Sequence, residues 1–156
     1  MGSNTRMIYK QEFLHSIQEE IQYLLELHWK EIALNQEKIK LNPDWDAYRT
    51  LEDKGALKIF TARQDGLLVG YLVVVCQTNL HYKDHVFASN DVIYLHPDHR
   101  KGLTGVKLIK FAEKCLREDG VSVFAINTKV HRPFDKVLEF LGFGLIERIY
   151  SKYIGD

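Results

Sequence analysis

The run Asp91-Val-Ile-Tyr-Leu-His-Pro-Asp-His-Arg-Lys-Gly-Leu-Thr-Gly-Val-Lys-Leu-Ile109 holds the densest potential chemistry in the chain. It reads as a strand, a turn with two glycines and two basic residues, then a helix. A helix N-terminus presents unpaired backbone N–H groups and the positive end of its dipole, which suits a phosphate or diphosphate. Gly102 and Gly105 let the backbone approach an anion closely, and Arg100 or Lys101 adds charge. Each charge-assisted hydrogen bond contributes roughly 1.5–3 kcal/mol, so three or four would hold a diphosphate firmly. The same residues also fit an ordinary strand-to-helix turn with solvated basic side chains. Two other phosphate loops are excluded, because the chain has neither a Gly-Lys-Ser/Thr ending nor a G-x-G-x-x-G. Upstream, Asp91 puts a carboxylate among apolar strand residues, which is costly without a purpose or a partner. His81 and His85 stand four apart, but in an expected loop with no supporting carboxylates, so no metal site is expected. Cys76 and Cys115 are not spaced as a metal pair and read as reduced core thiols.

The elements that must position these groups follow from hydrophobic spacing. Leu14, Ile17, Ile21, Leu24, Leu25, His28 and Ile32 recur at three and four, predicting a helix from Phe13 onward. Leu41-Asn-Pro-Asp44 breaks it, and Asp44 is the expected N-cap of a second helix reaching Lys54 and closed by Gly55. Strands are expected over residues 57–63 and 67–77, joined by the tight turn Gln64-Asp-Gly66. A polar loop is expected over 78–84 and a strand over 86–95. A helix over 104–118 carries Val106, Ile109, Ala112 and Leu116 on one face and stops at Asp119-Gly120. A strand over 121–127 follows. Pro133 and Gly142 frame a short helix with Val137, Leu138 and Leu141 inward, and residues 145–154 read as a last strand. A hairpin followed by two strand–helix–strand crossovers predicts an α/β (α+β) mixed sheet with helices on its faces.

Composition narrows the function classes. A chain of 156 residues is about one domain, and 46% hydrophobic with 27% charged residues is a globular balance. Twenty-one Lys+Arg against twenty-one Asp+Glu leaves no net charge, which argues against a dedicated nucleic-acid binder. The longest uncharged apolar stretch, residues 67–76, is far short of the ~20 residues that span a bilayer. No basic-then-apolar leader opens the chain, so a cytoplasmic setting and no membrane partner are expected. Residues 1–6 are polar and read as a flexible leader or expression remnant ahead of a second start at Met7, with residues 7–156 as one domain.

Leu95-His-Pro-Asp-His-Arg100, followed by glycines and Leu108-Ile109, resembles motif A of the Gcn5-related N-acetyltransferases (GNAT). Leu141-Gly-Phe143 after a short helix resembles that family's terminal Leu-Gly-Phe signature. The likeness covers about residues 57–154. Within the superfamily it is nearest to small proteins encoded by tailed bacteriophages, on the segment from Asp44 to Leu57, Val69-Gly-Tyr71, Asp91 to Leu95 and Ile149-Tyr-Ser-Lys152. The resemblance implies the GNAT fold, a mostly antiparallel twisted sheet with one splayed strand pair and helices on both faces, binding acetyl-CoA in the splay. Backbone groups of Ile93, Tyr94 and Leu95 would pair with the pantetheine arm. Arg100, Lys101, Gly102, Leu103, Thr104 and Gly105 would wrap the pyrophosphate, and Asn127 would add a cofactor contact. One departure stands out: Leu103 occupies the first glycine position of the usual Arg/Gln-x-x-Gly-x-Gly loop, with Gly102 one position early.

Acetyl transfer needs a neutral amine, whereas a lysine-like amine has a pKa of ~10.4, so a base is required. The family commonly carries a carboxylate base on the strand before motif A, where Asp91 stands; a structural, hydrogen-bonded Asp beside a bulge is the alternative. Glu31, Asp44 and Trp45 fall where the family builds its acceptor site, and as surface residues they would equally be ordinary. The family's usual acid, a Tyr five residues before the signature Phe, is replaced by Leu138. His131 and Tyr150 are the remaining candidates, each with a structural reading beside it. The resemblance thus implies an acetyl-CoA-dependent N-acetyltransferase acting on a small-molecule or protein amine by direct attack, with a homodimer left open. Its rivals are a GNAT-fold protein that binds acyl-CoA without catalysis and a small nucleic-acid-binding α/β domain.

Overall fold

A computed structural model describes residues 6–156, so the expected leader falls outside the described residues except for Arg6. The elements are β1 (Met7–Glu12), α1 (Leu14–Ile32), α2 (Trp45–Asp53), β2 (Leu57–Gln64), β3 (Leu67–Asn79), β4 (Tyr82–Leu95), a 3₁₀ turn (Pro97–His99), α3 (Thr104–Glu118), β5 (Val121–Ala125) and α4 (Asp135–Phe140). One sheet runs β1-β2-β3-β4-β5; its first four strands are antiparallel, and β5 lies parallel to β4.

Both faces of the central strands are covered, which is why β3 reads as a continuous apolar run rather than an alternation. Leu57, Ile59, Tyr71 and Val73 point to one face and pack on Leu14, Ile17, Ile21, Leu24 and Leu25 of α1, with Trp45, Tyr48 and Leu51 of α2 at the margin. Phe60, Leu72, Val74 and Cys76 point to the other face, against Leu108, Ala112 and Leu116 of α3. The expected mixed sheet with helices on both faces is therefore present.

Local signals explain most boundaries. Asp44 caps α2, its carboxylate accepting from Ala47 N at 3.0 Å. Phe13 cannot cap α1, and Glu52 from the end of α2 does so instead, accepting from Leu14 N at 3.0 Å. Asp65 (φ 50°) and Gly66 (φ 83°) form the two-residue left-handed turn that suits the twist of β2 and β3. Arg63, 12% exposed, binds both Glu12 and Glu20 and so ties β1 and β2 to α1.

Three sequence expectations are corrected. Residues 7–12 form an edge strand that was not expected, because the short mixed segment becomes a strand only through its antiparallel pairing with β2. The expected loop over 78–84 is mostly strand, with β3 and β4 running on to a turn at Leu80 and His81. Polar residues are tolerated there because this end of the hairpin stands in water, with Leu80 wholly exposed. The expected strand over 145–154 does not form, since a strand needs a paired edge and this segment pairs with none among the described residues.

Candidate functional site

The site is organised by an irregularity in β4. Val92 lies opposite Val73 and Asn90 opposite Val74, so Asp91 is an extra residue, a bulge. The Asp91 side chain is exposed rather than buried, which removes the desolvation cost expected for a carboxylate in this strand. It accepts a hydrogen bond of 2.5 Å from the Tyr48 hydroxyl, delivered by α2. Burial, reinforced by that carboxylate, pushes the Tyr48 hydroxyl well above the ordinary tyrosine range, so it remains a proton donor to Asp91. Beneath them Tyr71 is fully buried and its hydroxyl has no hydrogen-bond partner among the described residues. Burial likewise raises the Tyr71 hydroxyl, helped by Tyr94, Tyr48 and Asp91 nearby.

A fork opens beside the bulge. Parallel pairing of β4 with β5 ends at Ser89 and Ala125. The next residue, Asn90, grips the backbone of Asn127, accepting from its N–H at 2.7 Å and donating to its carbonyl at 3.4 Å. Beyond that clamp, among the described residues, Ile93, Tyr94 and Leu95 pair only with Leu72, Tyr71 and Gly70 of β3, and no strand borders their other edge. Gly70 permits the close approach of the end of β4, because a Cβ there would stand 2.7 Å from Leu95 Cδ1 and 3.1 Å from the Tyr94 carbonyl.

The chain then turns into α3. Gly102 has φ +94°, a conformation that favours glycine, so the glycine one position early shapes this turn. Leu103 is the N-cap residue and provides no side-chain cap, leaving the first N–H groups of α3 without a side-chain acceptor among the described residues. Gly105 faces open space, with only Leu95 Cδ2 at 3.9 Å from the position of a Cβ. Lys101 is exposed and Thr104 half-buried at the helix start. An uncapped helix start beside an unpaired strand edge fits a ligand with an anionic end and an amide-bearing arm.

Arg100 is engaged elsewhere. Its Nε donates to the Leu95 carbonyl at 2.7 Å, its terminal nitrogens donate to both Glu31 oxygens at 2.5 and 2.7 Å, and its guanidinium lies 5.3 Å from the Tyr94 ring centre. This Arg100 fork holds the Glu31 carboxyl below the usual carboxylate range. Glu31 is thus neutralised by Arg100, and the pair braces α1 against the end of β4. His28 stacks on Tyr94 at 4.9 Å, and burial lowers its pKa to about 4, keeping the ring neutral near pH 7.

Other sequence candidates lie outside this cluster. The Asp44 carboxylate is a helix cap, and Trp45 packs beside Tyr48 with ring centres 5.4 Å apart. His131 Nε2 lies 3.0 Å from the Ile32 carbonyl, at the end of α1. Tyr150 belongs to the irregular C-terminal segment and is 89% exposed. Leu138 is buried, as its place on the short helix predicts. Tyr48, Asn90 and His28 were missed as site residues. Asn90 had a readable signal, a second polar residue beside Asp91 in an apolar strand; Tyr48 had none, because its contact with Asp91 spans 43 residues. No helix among the described residues is long and apolar enough to cross a membrane.

No protein-family model and no curated protein matches this sequence. Solved structures do, and they define the fold as that of the GNAT acetyltransferases. A transcriptional regulator from Bacillus halodurans C-125 superposes with a TM-score of 0.74 at 17% identity, covering 96% of this chain and 100% of that one. A ribosomal-protein-alanine N-acetyltransferase from Brucella melitensis biovar Abortus 2308 gives 0.68 at 22% identity, over 96% and 100%. An acetyltransferase from Clostridium acetobutylicum described as predicted, with acetyl-CoA bound, gives 0.69 at 12% identity, over 95% and 96%. At such identities the likeness carries the fold, while activity has to be argued from the site.

Proposed function

We propose that this protein is an acetyl-CoA-dependent N-acetyltransferase that transfers the acetyl group directly to a primary amine. One observation carries the reading: an exposed carboxylate on a strand bulge, an open strand edge and an uncapped helix start lie consecutively along one stretch of chain, Asp91 to Gly105. Acetyl-CoA would supply an activated thioester and a diphosphate. Backbone groups of Ile93, Tyr94 and Leu95 would hold the pantetheine arm, and the amides from Gly102 to Gly105, with Lys101, would hold the diphosphate. Asn127, clamped by Asn90, would border the arm on the opposite wall. Arg100 would act indirectly by fixing the end of β4.

Asp91 would take the proton from the attacking amine, directly or through water, with Tyr48 positioning its carboxylate. Glu31, Asp44 and Trp45 would shape the acceptor side by bracing α1 and α2. His131 and Tyr150 are the candidates for protonating the leaving thiolate. The Brucella neighbour is an N-acetyltransferase and the Clostridium neighbour holds acetyl-CoA, and both support the reading. The resemblance of some segments to phage proteins favours a phage-encoded enzyme of the host cytoplasm, acting on a small-molecule or protein amine.

A second reading is a GNAT-fold protein that binds acyl-CoA without catalysis. Leu138 favours it, since at the family's tyrosine position it is buried and carries no hydroxyl.

A ligand that binds only the folded state at 100 times its Kd adds about 2.7 kcal/mol of stability. At roughly 2–4 °C per kcal/mol for a chain of this size, saturating CoA should raise Tm by roughly 5–10 °C. Desulfo-CoA should do the same, and labelled acetyl-CoA should acetylate at least one of a panel of amines. No Tm shift with millimolar CoA removes both readings; a shift without transfer favours the non-catalytic one.

A further inference from the structure

The fork between β4 and β5 begins where a side chain stands in for a backbone rung. The parallel ladder pairs Ala88 with Phe124 and Ser89 with Ala125. Carried on in step, it would set Asn127 beside Asp91. Asp91, however, is the extra residue of the bulge, and a bulge bends its strand aside. The Asn90 side chain bridges the gap: its oxygen accepts from the Asn127 N–H at 2.7 Å and its nitrogen donates to the Asn127 carbonyl at 3.4 Å. A primary amide can do this because, like the peptide group, it carries a donor and an acceptor side by side. Both backbone groups of Asn127 are thereby satisfied without a strand partner.

Facing that wall is the edge of β4. His96 N donates to the Val69 carbonyl at 2.8 Å, which fixes the alternation of the antiparallel pair. Tyr94 therefore exchanges its backbone bonds with Tyr71, while Ile93 and Leu95 turn theirs toward the fork. The Leu95 carbonyl is already taken by Arg100 Nε at 2.7 Å. What the fork offers a ligand is thus the Ile93 N–H, the Ile93 carbonyl and the Leu95 N–H, on either side of Tyr94. Both prongs are tied to the end of α1. On the β4 side Arg100 holds Glu31 at 2.5 and 2.7 Å; after β5, His131 Nε2 lies 3.0 Å from the Ile32 carbonyl. With the tips held there, Asn90 pins the point at which the strands part.

We propose that Asn90 is a positioning residue that sets the width of the fork: by holding Asn127 it keeps the second wall at a fixed distance from the free groups of Ile93 and Leu95, where the amide-bearing arm of acetyl-CoA lies. The use of the fork rests on the acetyltransferase reading; the clamp itself does not. Residue type is decisive at this position. An aspartate keeps the acceptor for the Asn127 N–H and lacks the donor, an alanine has neither, and a serine hydroxyl is too short to span both groups. Asn90 touches neither the thioester nor the amine in this arrangement, so its loss acts on the cofactor's fit and leaves the proton transfer at Asp91 in place.

In the ligand-free full chain, amide hydrogen exchange at Asn127 should be about tenfold faster in Asn90→Ala than in wild type, with exchange at Val73 and Val74 of the core unchanged. CoA should bind Asn90→Ala about tenfold more weakly, the order of one lost hydrogen bond. KM for acetyl-CoA should rise by the same factor while kcat stays within about twofold, since binding is lost and the chemical step is not. Asn90→Asp, which keeps the acceptor, should retain slow exchange at Asn127 and most of the affinity. Asn90→Ser takes the place of the alanine variant if that chain misfolds. Unchanged CoA affinity in Asn90→Ala, unchanged exchange at Asn127, or exchange that quickens equally at Val73 and Val74 would each overturn the proposal. A wild-type chain that binds no CoA removes the acetyltransferase reading instead, and exchange at Asn127 then decides the clamp alone.

Discussion

The hydrophobic runs of β3 and of residues 145–154 meet opposite fates. Val73 and Val74 are at most 1% exposed, while Leu145 and Ile146 are 84% exposed. Intrinsic strand preference does not separate them, since both are rich in branched apolar residues. What separates them is the presence of partners: β3 has a strand on each edge and a helix layer on each face. The division extends to the whole chain, for among the described residues every buried apolar side chain except Leu138 lies at or before Leu116. The earlier part is a scaffold carrying the bulge and the helix start; the later part supplies one wall of the fork and an exposed segment.

The largest effect that would break or sharpen this division is catalytic. Asp91→Asn should lower turnover by ~10²–10⁴ while leaving the CoA-induced Tm shift intact, as expected for loss of a general base. Tyr48→Phe, which removes the donor that positions it, should cost about tenfold, in keeping with a hydrogen bond to a charged group. His131→Ala and Tyr150→Phe test the later part of the chain, and of the two Tyr150→Phe should harm turnover more. A phenol of pKa ~10 is a reasonable match for a leaving thiol near ~8.5. If either variant matches Asp91→Asn, the chemistry is shared between the two parts.

Next in size is a stability contrast. Phe60, on β2, is fully buried beneath α3, with Phe111 edge-on at 6.1 Å. Phe60→Ala should cost about 3–5 kcal/mol in urea unfolding. Phe140→Ala, at a site 72% exposed, should stay within about 0.5 kcal/mol. Equal losses would mean that the later part belongs to the same core.

The smallest effect is a pH dependence. His28 is held neutral down to about pH 4, whereas the unfolded chain takes up its proton near 6.5. Between those values the unfolded state binds more protons, so stability falls as pH falls. The contribution is about 1 kcal/mol between pH 7.5 and 5.5. His28→Phe keeps the stack on Tyr94 and should flatten that part of the slope. An unchanged slope would place the acid sensitivity in the surface carboxylates.

Much of this molecule is local. The stripe from Leu14 to Ile32, the Asp44 cap, the Asp65-Gly66 turn and the bounds of α3 each depend on residues within one or two turns of one another, so spacing and turn chemistry reveal them. The helix start at Thr104 and the carboxylate at Asp91 were legible for the same reason. β1 was not, because six mixed residues carry little pattern and become a strand only against β2.

By itself, then, the sequence determined the order of elements from α1 to α4, the doubly covered β3 and the glycine-bearing turn into α3, since each is set by near-neighbour spacing and backbone preference. Only the tertiary structure decided what the polar groups do. Arg100 turns away from the helix start to Glu31, 69 positions away, and Tyr48 reaches Asp91 across 43. It also decided that residues 145–154 pair with no strand among the described residues, for pairing depends on where a free edge lies in space. Such pairings are chosen by the geometry of packed layers, and no local pattern in the chain encodes them.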